Sequence, residues 1–458
     1  DPYKIKGDST SGLLWGISPA ALSSDGTGDK LVQAYNYRIC LTDNPANKIE
    51  ITRPENYDST KYELLLRLFD AQPNKRKLNH YFIWSRMPNN KTDINNRGGF
   101  STDMIGMNHN YPEASYEERA EIIKAHKDYT QGLLYFYKTD PRVPQELRDE
   151  IQAWGYPKDE YTEDNHWSPQ LYIRESRRMT GDYVMTQAHC EGRETVTDGI
   201  GMAAYTMDSH NCQRLLVKKD GKYIVKNEGN VEISGGLPYP ISYRSIIPKE
   251  EECKNLLVPV CLSASHIAYG SIRMEPVFMV LAQSAAIAAA EAINTGSVQT
   301  VDIKKVQALL HENPLLDDSF SEILIDDSEL DLSINNDWEV IKKQGGYGPT
   351  FLKSKVRNGS PVRFSPHMEH EGKYKVYTYY HMRKDISPAI TYSISNGIDS
   401  WTRVIHKDSV RIEGQTTGEW IELGTYNFQK SSMPYIEIST GDTSGAVIAD
   451  AVLFIPVK

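Results

Sequence analysis

Apolar and polar positions along this chain follow two different periods, and the change lies near residue 330. In the first part, Glu117–Leu134 and Gln145–Trp154 carry apolar side chains at the spacing of amphipathic helices. Pro144 stands where the second helix would begin, and Asp302 would cap a further short helix over Asp302–Glu312. Because strand-like runs separate these helices, the first part predicts an α+β region.

Beyond residue 335 the pattern is almost entirely that of short strands. Residues Lys373–His381 alternate between two faces, which is the period of a β-strand. Further strands are predicted at Ala389–Ser395, Trp420–Leu423, Tyr435–Ser439 and Ala446–Ile455. Glycine-containing turns separate them, and this spacing predicts an all-β sandwich domain. We therefore divide the chain into residues 1–325, an acidic connector over 326–336 and a β-sandwich domain over 337–458.

The segment that ends near residue 295 predicts a helix start that faces a ligand. Residues Asn255–Leu262 are apolar and predict a buried strand, after which Ser263–Met274 would form a polar turn. Pro276 marks the start of an Ala-rich helix over Val277–Ile293, which is expected to be a packed core helix. The free N–H groups at such a helix start favour an anionic or polar ligand.

Composition argues against two classes of partner. The chain has 458 residues, of which 39% are hydrophobic and 24% charged, the proportions of a soluble globular protein. Its formal net charge of −10 argues against nucleic-acid binding, since phosphate contacts need clustered Lys and Arg. Every apolar run of the length that spans a bilayer has polar interruptions, so no membrane-spanning segment is predicted.

The cysteines and acidic clusters predict no metal site. The five cysteines are scattered and no Cys-x-x-Cys occurs, which disfavours zinc and thioredoxin-type chemistry. Cys261 lies in the predicted strand and is expected to be a small buried side chain. Asp93, Asn95 and Asn96 lack the glycine and the terminal glutamate of an EF-hand loop.

Five phrases in the first part are unusual enough to indicate a family. In chain order they are Gln33–Thr42, Asp93–Asp103, Gln170–Arg178, Met207–Asn211 and Ser263–Pro276. Over roughly residues 1 to 300 they resemble the substrate-domain part of FAD-dependent oxidoreductases common in gut and polysaccharide-degrading bacteria. The resemblance implies FAD as the cofactor. It also implies that the fold is a remnant of a glutathione-reductase-like flavoprotein.

The segment Ser263–Pro276 resembles the last cofactor-contacting segment of those flavoproteins, which lies beside the flavin ring and ribityl chain. The resemblance implies a flavin-contacting set of Ser265, His266, Ser271, Arg273, Met274, Glu275 and Gln283. Arg273 and the N–H groups after it would suit a negative charge on a reduced flavin. An arginine that caps a turn is the structural alternative.

The sequence contains no dinucleotide-binding fingerprint. That motif has glycines in the spacing G-x-G-x-x-G, after a strand and before a helix. The glycine clusters, none of which meets the pattern, are Gly26/Gly28, Gly98/Gly99, Gly199/Gly201, Gly235/Gly236 and Gly345/Gly346/Gly348. We therefore expect a nucleotide-binding half to lie upstream, and these residues alone to bind FAD poorly.

Two histidines are candidates for proton transfer. His210 lies in the phrase Asp208–Asn211, and imidazole exchanges protons near neutral pH, as removal of hydride from an alcohol requires. His266 has a similar claim, and for His210 a purely structural hydrogen-bonded role is an equal alternative. The candidates for substrate contact are Arg97, Arg174, Arg178 and Asn211. Arg174 and Arg178 would share one helix face, although ion pairing along that helix would also explain them.

The tail resembles the β-sandwich found at the C-terminus of golvesin-like and xanthan-lyase-like proteins. The resemblance rests on Gly372–Tyr377, Gly418–Tyr426 and Val447–Phe454, and by itself it does not justify a lyase activity. The aromatic residues that could stack on sugars or belong to the sandwich core are Trp401, Trp420, Tyr377 and Tyr379. Trp420 alternates with charged residues and is expected to point inward.

Together these features favour an oxidoreductase that transfers hydride from a carbohydrate or related small polyol to FAD, with His210 or His266 as the base. The alternative is a non-catalytic glycan-binding protein on a degenerate flavoprotein scaffold. A polysaccharide lyase lacks a supporting arrangement of residues. A periplasmic or secreted location is a further expectation. So is a homo-oligomer, formed through the apolar surface that a separate nucleotide-binding half would cover.

Overall fold

The computed structural model describes residues 1–233, 238–312, 320–330, 336–342, 346–348, 350–412, 418–430, 432–440 and 444–457. The chain forms two compact units, Asp1–Gln307 and Ala308–Lys458. The first unit mixes helices and short strands. The second unit begins with the end of the helix Ile303–Glu312, and its described residues beyond that helix are all-β. The predicted fold class, a mixed helix-and-strand region followed by an all-β domain, agrees with this arrangement.

The α-helices within the described residues are α1 Glu63–Ala71, α2 Tyr116–Thr139, α3 Gln145–Gln152, α4 Gln187–Cys190, α5 His266–Ile272, α6 Glu275–Thr295 and α7 Ile303–Glu312. The strands of the first unit are β1 Lys48–Ile49, β2 Phe82–Met87, β3 Lys91–Asn96, β4 Tyr156–Pro157, β5 Gly199–Ala203, β6 Met207–Ser209, β7 Gln213–Lys219, β8 Lys222–Glu228, β9 Val231–Ile233 and β10 Tyr239–Ser242. These strands pair in antiparallel twos: β1 with β4, β2 with β3, β5 with β10, β6 with β9, and β7 with β8.

The core of the first unit is aromatic and surrounds α2. A capping box between Ser115 and Glu118 starts this helix, because each side chain accepts from the other residue's backbone N–H. On its inner face Tyr129, Phe136 and Tyr137 are completely buried. Burial of such rings contributes about 1.5–3 kcal/mol each. The predicted helices at α2 and α3 are confirmed. The Tyr129 hydroxyl of α2 donates to the Ser101 carbonyl, two residues before Asp103 of the site described below.

The segment before α5 differs from its predicted structure. Residues 255–262 have irregular backbone in place of a buried strand, and Leu256 and Val260 are 47% and 46% exposed. Cys261 is exposed, so the expectation that it is buried is wrong. The predicted turn after it contains a helix, α5, because the Ser265 hydroxyl accepts from the N–H of Ala268 and caps it. An apolar run of this length does not by itself distinguish a strand from an exposed segment.

Helix α6 is apolar around most of its circumference but is only half packed. Its inner face, with Val277, Leu281 and Ala288, is buried, whereas Met279 and Ile293 are 72% and 84% exposed. The expectation of a fully packed core helix is therefore wrong. By length and composition α6 is the one described helix that qualifies as a candidate membrane span, which is weak evidence on its own.

The second unit is a sandwich of antiparallel sheets, as predicted. Its strands are β11 Ile323–Asp326, β12 Trp338–Lys342, β13 Thr350–Ser354, β14 Val362–Phe364, β15 Gly372–His381, β16 Ala389–Ser395, β17 Ser400–His406, β18 Gly418–Phe428, β19 Tyr435–Ser439, β20 Ile448–Ala449 and β21 Ala451–Pro456. The sheet orders are β11-β21-β15-β18, β14-β19-β16-β17 and β12-β13-β20. Alternate residues of these strands fill one apolar core.

The start of the second unit lies earlier than the predicted connector. Residues Ile323–Asp326 form β11, which pairs with β21 from Ile323 opposite Phe454 to Asp326 opposite Ala451. Ile325 of this strand belongs to the sandwich core. The sequence missed this strand because it is acidic and short, and residues 331–335 of the connector lie outside the described residues.

Three carboxylates meet where β11 ends, beside the chain between β20 and β21. The oxygens of Asp326, Asp327 and Asp450 lie within 4.8 Å of one another. Burial and the neighbouring carboxylates raise the pKa of Asp327 to about 6 and that of Asp450 to about 7. Tyr347 and Thr350 donate hydrogen bonds to the cluster, which only partly offsets this effect.

We expect this cluster to make the second unit less stable as pH rises. Because the folded pKa values exceed the unfolded ones, the folded state holds extra protons between about pH 4 and pH 7, so the free energy of unfolding falls over that range. The protein is first treated with a chelator so that no cation occupies the three carboxylates. The calorimetric transition temperature of the second unit should then drop by roughly 4 °C or more from about pH 5 to pH 7.5. Asp450→Asn should remove most of the dependence. A transition that rises with pH would contradict this account.

Candidate active site in the first unit

The two candidate histidines lie side by side in the first unit, each held by a buried carboxylate. His210 directly follows β6, and His266 is the first residue of α5. The hydroxyl of Ser209 lies 2.9 Å from His266 Nε2 and connects the two positions. The structure therefore brings together both residues that sequence analysis proposed for proton transfer.

Close approach of α5 to β6 depends on one glycine. A Cβ atom added at Gly270 would lie 2.7 Å from the carbonyl oxygen of Asp208, which is nearer than real Cβ atoms approach. The absence of a side chain there lets the helix that carries His266 lie against the strand that precedes His210.

His210 forms a dyad with Asp103. Its Nδ1 lies 2.6 Å from Oδ2 of Asp103, which is completely buried. Its Nε2 lies 3.6 Å from Oδ2 of Asp208, beyond a normal hydrogen bond. An ionised Asp103 accepts from Nδ1–H, so the neutral ring carries its lone pair on Nε2. His210 therefore has one nitrogen fixed and one nitrogen available.

The electrostatics of this dyad favour a charged His210. Burial and Arg174 lower the pKa of His210, but Asp103 and Asp208 outweigh them, so the pKa is raised above 6.5. Burial raises the pKa of Asp103, yet Arg174 and His210 together lower it below its usual value. The carboxylate stays ionised and holds the imidazole in one orientation.

His266 has both ring nitrogens engaged. Nδ1 lies 2.8 Å from Oε2 of Glu175, and Nε2 faces the Ser209 hydroxyl. Burial raises the pKa of Glu175, but His266, the Gln33 N–H group and Arg178 lower it on balance. Gln33 also links the two dyads, because its side-chain oxygen accepts from the backbone N–H of His210 at 3.0 Å.

Arg174 and Arg178 reach the site from irregular backbone, so the predicted shared helix face is wrong. Arg174 is buried, with Nη2 3.0 Å from Oδ1 of Asp103 and Nη1 bonded to the Ala34 carbonyl. Arg178 donates to the Ala264 carbonyl at 2.9 Å and to Glu175 at 3.0 Å. The two arginines thus support different carboxylates, one in each dyad.

Arg273 joins the site behind His210. Its Nη2 donates to the side chain and to the carbonyl of Asp208 at 3.1 and 3.2 Å. Burial raises the pKa of Asp208, but His210, Arg273 and Arg174 lower it overall. Among the described residues, the buried Nε atoms of Arg273 and Arg174 have no hydrogen-bond partner. Two guanidinium donors are therefore left over at the site.

Several predicted contact residues have other roles. Arg97 is exposed and donates to the Asn79 carbonyl. The Ser271 hydroxyl is buried, accepts from the Tyr239 hydroxyl and donates to the Tyr205 carbonyl, and its flavin contact stays a prediction. Asn211 takes part through its backbone carbonyl, which accepts from the N–H of Ala34.

The remaining predicted flavin contacts are near the start of α6. Met274 occupies the N-cap position of α6 without a side-chain hydrogen bond, and Glu275 is exposed in its first turn. Gln283 is partly buried two turns further along the helix. Ser265 uses its hydroxyl to cap α5. Arg273, Met274 and Glu275 are consecutive, so Arg273 directly precedes the start of α6.

The residues that sequence reasoning missed are the carboxylates and Gln33. All of them lie in the phrases that carry the family resemblance: Gln33, Asp103, Glu175 and Asp208. Asp103 pairs with a histidine that lies 107 positions away, and Gln33 with one 177 positions away. The phrases indicated where chemistry would concentrate, but only the fold shows which residues pair.

The site fits the flavin end of FAD, as judged by its donors. Two guanidinium Nε atoms without a hydrogen-bond partner among the described residues are donors that an anionic ring or a ribityl oxygen would take. At the start of α6 Pro276 has no N–H, and the N–H groups of Val277 and Phe278 donate to the Met274 carbonyl, so only the N–H of Glu275 would be added to them. Arg273, Met274 and Glu275 would hold it. The sequence has no glycine fingerprint for the pyrophosphate, so the fit does not extend to the nucleotide end.

Comparison with solved structures gives weak similarities only. They include a Paenibacillus xanthan lyase, 22% identical over 30% of this chain and 13% of that one, with a TM-score of 0.26. A Podospora anserina GH26-CBM35 β-(1,4)-mannanase is 11% identical over 30% of this chain and 28% of that one, with a TM-score of 0.24. This chain spans less than a third of either protein. No curated protein matches.

Family models divide the chain as the fold does. Residues 323–456 match the Golvesin C-terminal domain, which includes β11. Residues 7–310 match the model described as FAD dependent oxidoreductase, and that segment contains both histidine dyads and the start of α6. The match covers well over half of the chain, so this protein belongs to the FAD dependent oxidoreductase family.

Proposed function

We propose that the first unit is the substrate-binding part of a flavoprotein that oxidises a hydroxyl group of a carbohydrate or small polyol. The observation that carries the proposal is the Asp103–His210 dyad, whose Nε2 atom, 3.6 Å from Asp208, is the one ring nitrogen of the two dyads without a closer partner among the described residues. Family membership supplies the redox class. The finer identity, a remnant of a glutathione-reductase-like fold, is part of this proposal.

The chain's own residues would move one proton in this reaction. Asp103 fixes the His210 ring so that Nε2 accepts the hydroxyl proton as the alcohol loses hydride. Asp208, 3.6 Å away, stabilises the imidazolium that results. When bound, FAD would supply the hydride acceptor. Arg273 and the start of α6 would orient it and balance negative charge.

His210 is a better candidate base than His266. Both nitrogens of His266 are within 3 Å of Glu175 or Ser209, so its proton exchange would first require a broken hydrogen bond. We assign His266 and Glu175 a positioning role, because Gln33 ties this second dyad to the backbone of His210.

The nucleotide end of FAD would be held by a separate nucleotide-binding region. The outward face of α6 supports this proposal, since it presents exposed Met279 and Ile293 next to a helix start that suits the flavin. A region that covers this face would bury its apolar surface and would at the same time complete the cofactor site.

Anaerobic mixing of the flavin-loaded, longest native gene product with a panel of alditols and aldoses tests the proposal. We expect loss of the visible flavin absorbance with at least one of them, faster above the raised pKa of His210 than below it, since the base must be neutral. Reduction by none of them, in a protein that dithionite does reduce, would contradict the proposed activity.

A second candidate, a non-catalytic glycan-binding protein, is favoured by the missing glycine fingerprint. If the native gene product binds no flavin at all, this alternative becomes the better account. The two functions are distinguished by the absorption spectrum of the purified protein before any substrate is added.

A further inference from the structure

The second unit contains an open groove that is separate from the histidine dyads. It has a volume of about 340 Å³ and lies between β17 and β18. Its lining includes Trp401, Arg403, Glu422, Gly424 and Tyr426. An aromatic wall with a few charged groups is the usual composition of a small-molecule or sugar site.

The groove lies at the open edge of the sandwich. Strand β17 is the last strand of its sheet, and Trp401 and Arg403 stand opposite Ile394 and Tyr392 of β16. Directly opposed residues share a sheet face, so both side chains are on the face of those two buried core residues. Trp401 nevertheless stays 37% exposed, because the core ends there.

An irregularity in β18 forms the other wall. The register between β15 and β18 shifts between Val376 and Tyr377, so β18 brings Glu422 from one face and Tyr426 from the other to the groove. Gly424 lies at this bulge with a φ of +140°, and a Cβ atom there would be 2.5 Å from the Tyr426 hydroxyl. The glycine lets the Tyr426 ring come within 4.6 Å of Trp401.

We propose that this groove binds a neutral glycan, with one pyranose unit stacked on Trp401. An exposed indole offers an apolar ring face that matches the C–H face of a pyranose. Arg403 supplies N–H donors and Glu422 supplies acceptor oxygens, the two kinds of partner that sugar hydroxyls need. The Tyr377 hydroxyl lies 3.4 Å from Glu422 and helps to orient that carboxylate.

The charge of the groove favours a neutral sugar over a uronic acid. Glu422 lies in the same groove as Arg403 and would repel a carboxylate that approached the arginine. The whole chain, with a net charge of −10, would also repel a polyanion. Among the described strands β17 pairs only with β16, and its other edge suggests a competing occupant, a second copy of this chain paired strand to strand.

Native gels that contain a polysaccharide test the proposal with the full chain. The probes are galactomannan, xyloglucan, galactan and xylan as neutral glycans, and polygalacturonate as the acidic one. We expect at least one neutral glycan to retard the protein, and Trp401→Ala to weaken the apparent affinity by about tenfold or more. Glu422→Gln should weaken it as well, without the loss of packing that a tryptophan deletion risks.

The matched control is Trp420→Ala. Trp420 was expected to point inward, but it is half-buried and packs against Tyr347 and Tyr379. It does not line the groove. Its removal should leave retardation unchanged. Retardation by none of the neutral glycans, by polygalacturonate alone, or equally for wild type, Trp401→Ala and Glu422→Gln would overturn the proposal. So would β17-mediated dimers that no glycan dissociates.

Discussion

His210→Asn should slow reduction of bound flavin by about 10²–10⁴-fold in the flavin-loaded full-length protein. Asparagine places its amide close to the position of imidazole Nδ1, so it can still donate to Asp103, 2.6 Å from Nδ1 in the native site. It lacks an equivalent of Nε2, the nitrogen that would accept the hydroxyl proton. The buried carboxylate keeps a donor, and only the proton acceptor is lost.

His266→Asn is the comparison that distinguishes the two histidines. Because His266 is assigned a positioning role, its loss should reduce the rate less than the loss of His210. Rates are measured by stopped-flow absorbance, and thermal denaturation of each variant checks that the fold survives. Wild-type rates in His210→Asn would remove His210 from the mechanism, and a larger effect at His266 would move the assignment there.

The pH profile gives an independent test of the same residue. The pKa of His210 is raised, so in the wild type the rate should increase as pH rises through a value above 6.5. The interactions that raise it stabilise the fold most below pH 6.5, and this contribution is lost as pH rises through the folded pKa. In His210→Asn both dependences should be absent. If the rate of flavin reduction fell as pH rose over this range, the reaction would require a protonated group, which would contradict the role of His210 as a base.

Much of the architecture follows from local patterns. Helix α2 is signalled by its apolar spacing and by the Ser115–Glu118 capping box, both of which are local in sequence. The sandwich is signalled by alternation in strands such as β15, where buried and exposed positions do alternate over most of the length. Such elements are predictable because their cause lies within one turn or one strand.

The candidate site was predictable only in part, because it is formed by tertiary contacts between distant segments of the chain. The histidines were found from residue type and context, but their carboxylate partners come from distant segments. Arg174 was expected on a helix, yet it lies on irregular backbone and is buried, with its guanidinium paired with Asp103. The exposure of α6 was also missed, because an Ala-rich apolar sequence is compatible with a core helix and with an uncovered one.

The uncovered face of α6 should make the isolated chain self-associate. Met279 and Ile293 are 72% and 84% exposed on a helix whose other exposed positions include Val280 and four alanines. We expect concentration-dependent association by analytical ultracentrifugation, because water-exposed apolar stripes are buried when copies meet. Replacing both Met279 and Ile293 with glutamate should abolish it, while Tyr116→Glu, at an equally exposed aromatic elsewhere, should not.

These 458 residues alone should bind FAD poorly, with an affinity several orders of magnitude below that of a complete flavoprotein. In the proposed arrangement Arg273 and the start of α6 would contact the flavin end, and the sequence offers no glycine loop for the pyrophosphate. Each charged hydrogen bond that is lost removes roughly 1.5–3 kcal/mol, and each 1.4 kcal/mol is about a tenfold change in affinity. Titration of FAD into the purified chain, followed by flavin fluorescence, measures this affinity directly.

The control for this titration is the monomeric Met279→Glu, Ile293→Glu double variant, which separates weak binding from a site blocked by self-association. Stoichiometric binding at micromolar affinity or tighter would place the whole cofactor site within this chain and would contradict the need for a separate nucleotide-binding region.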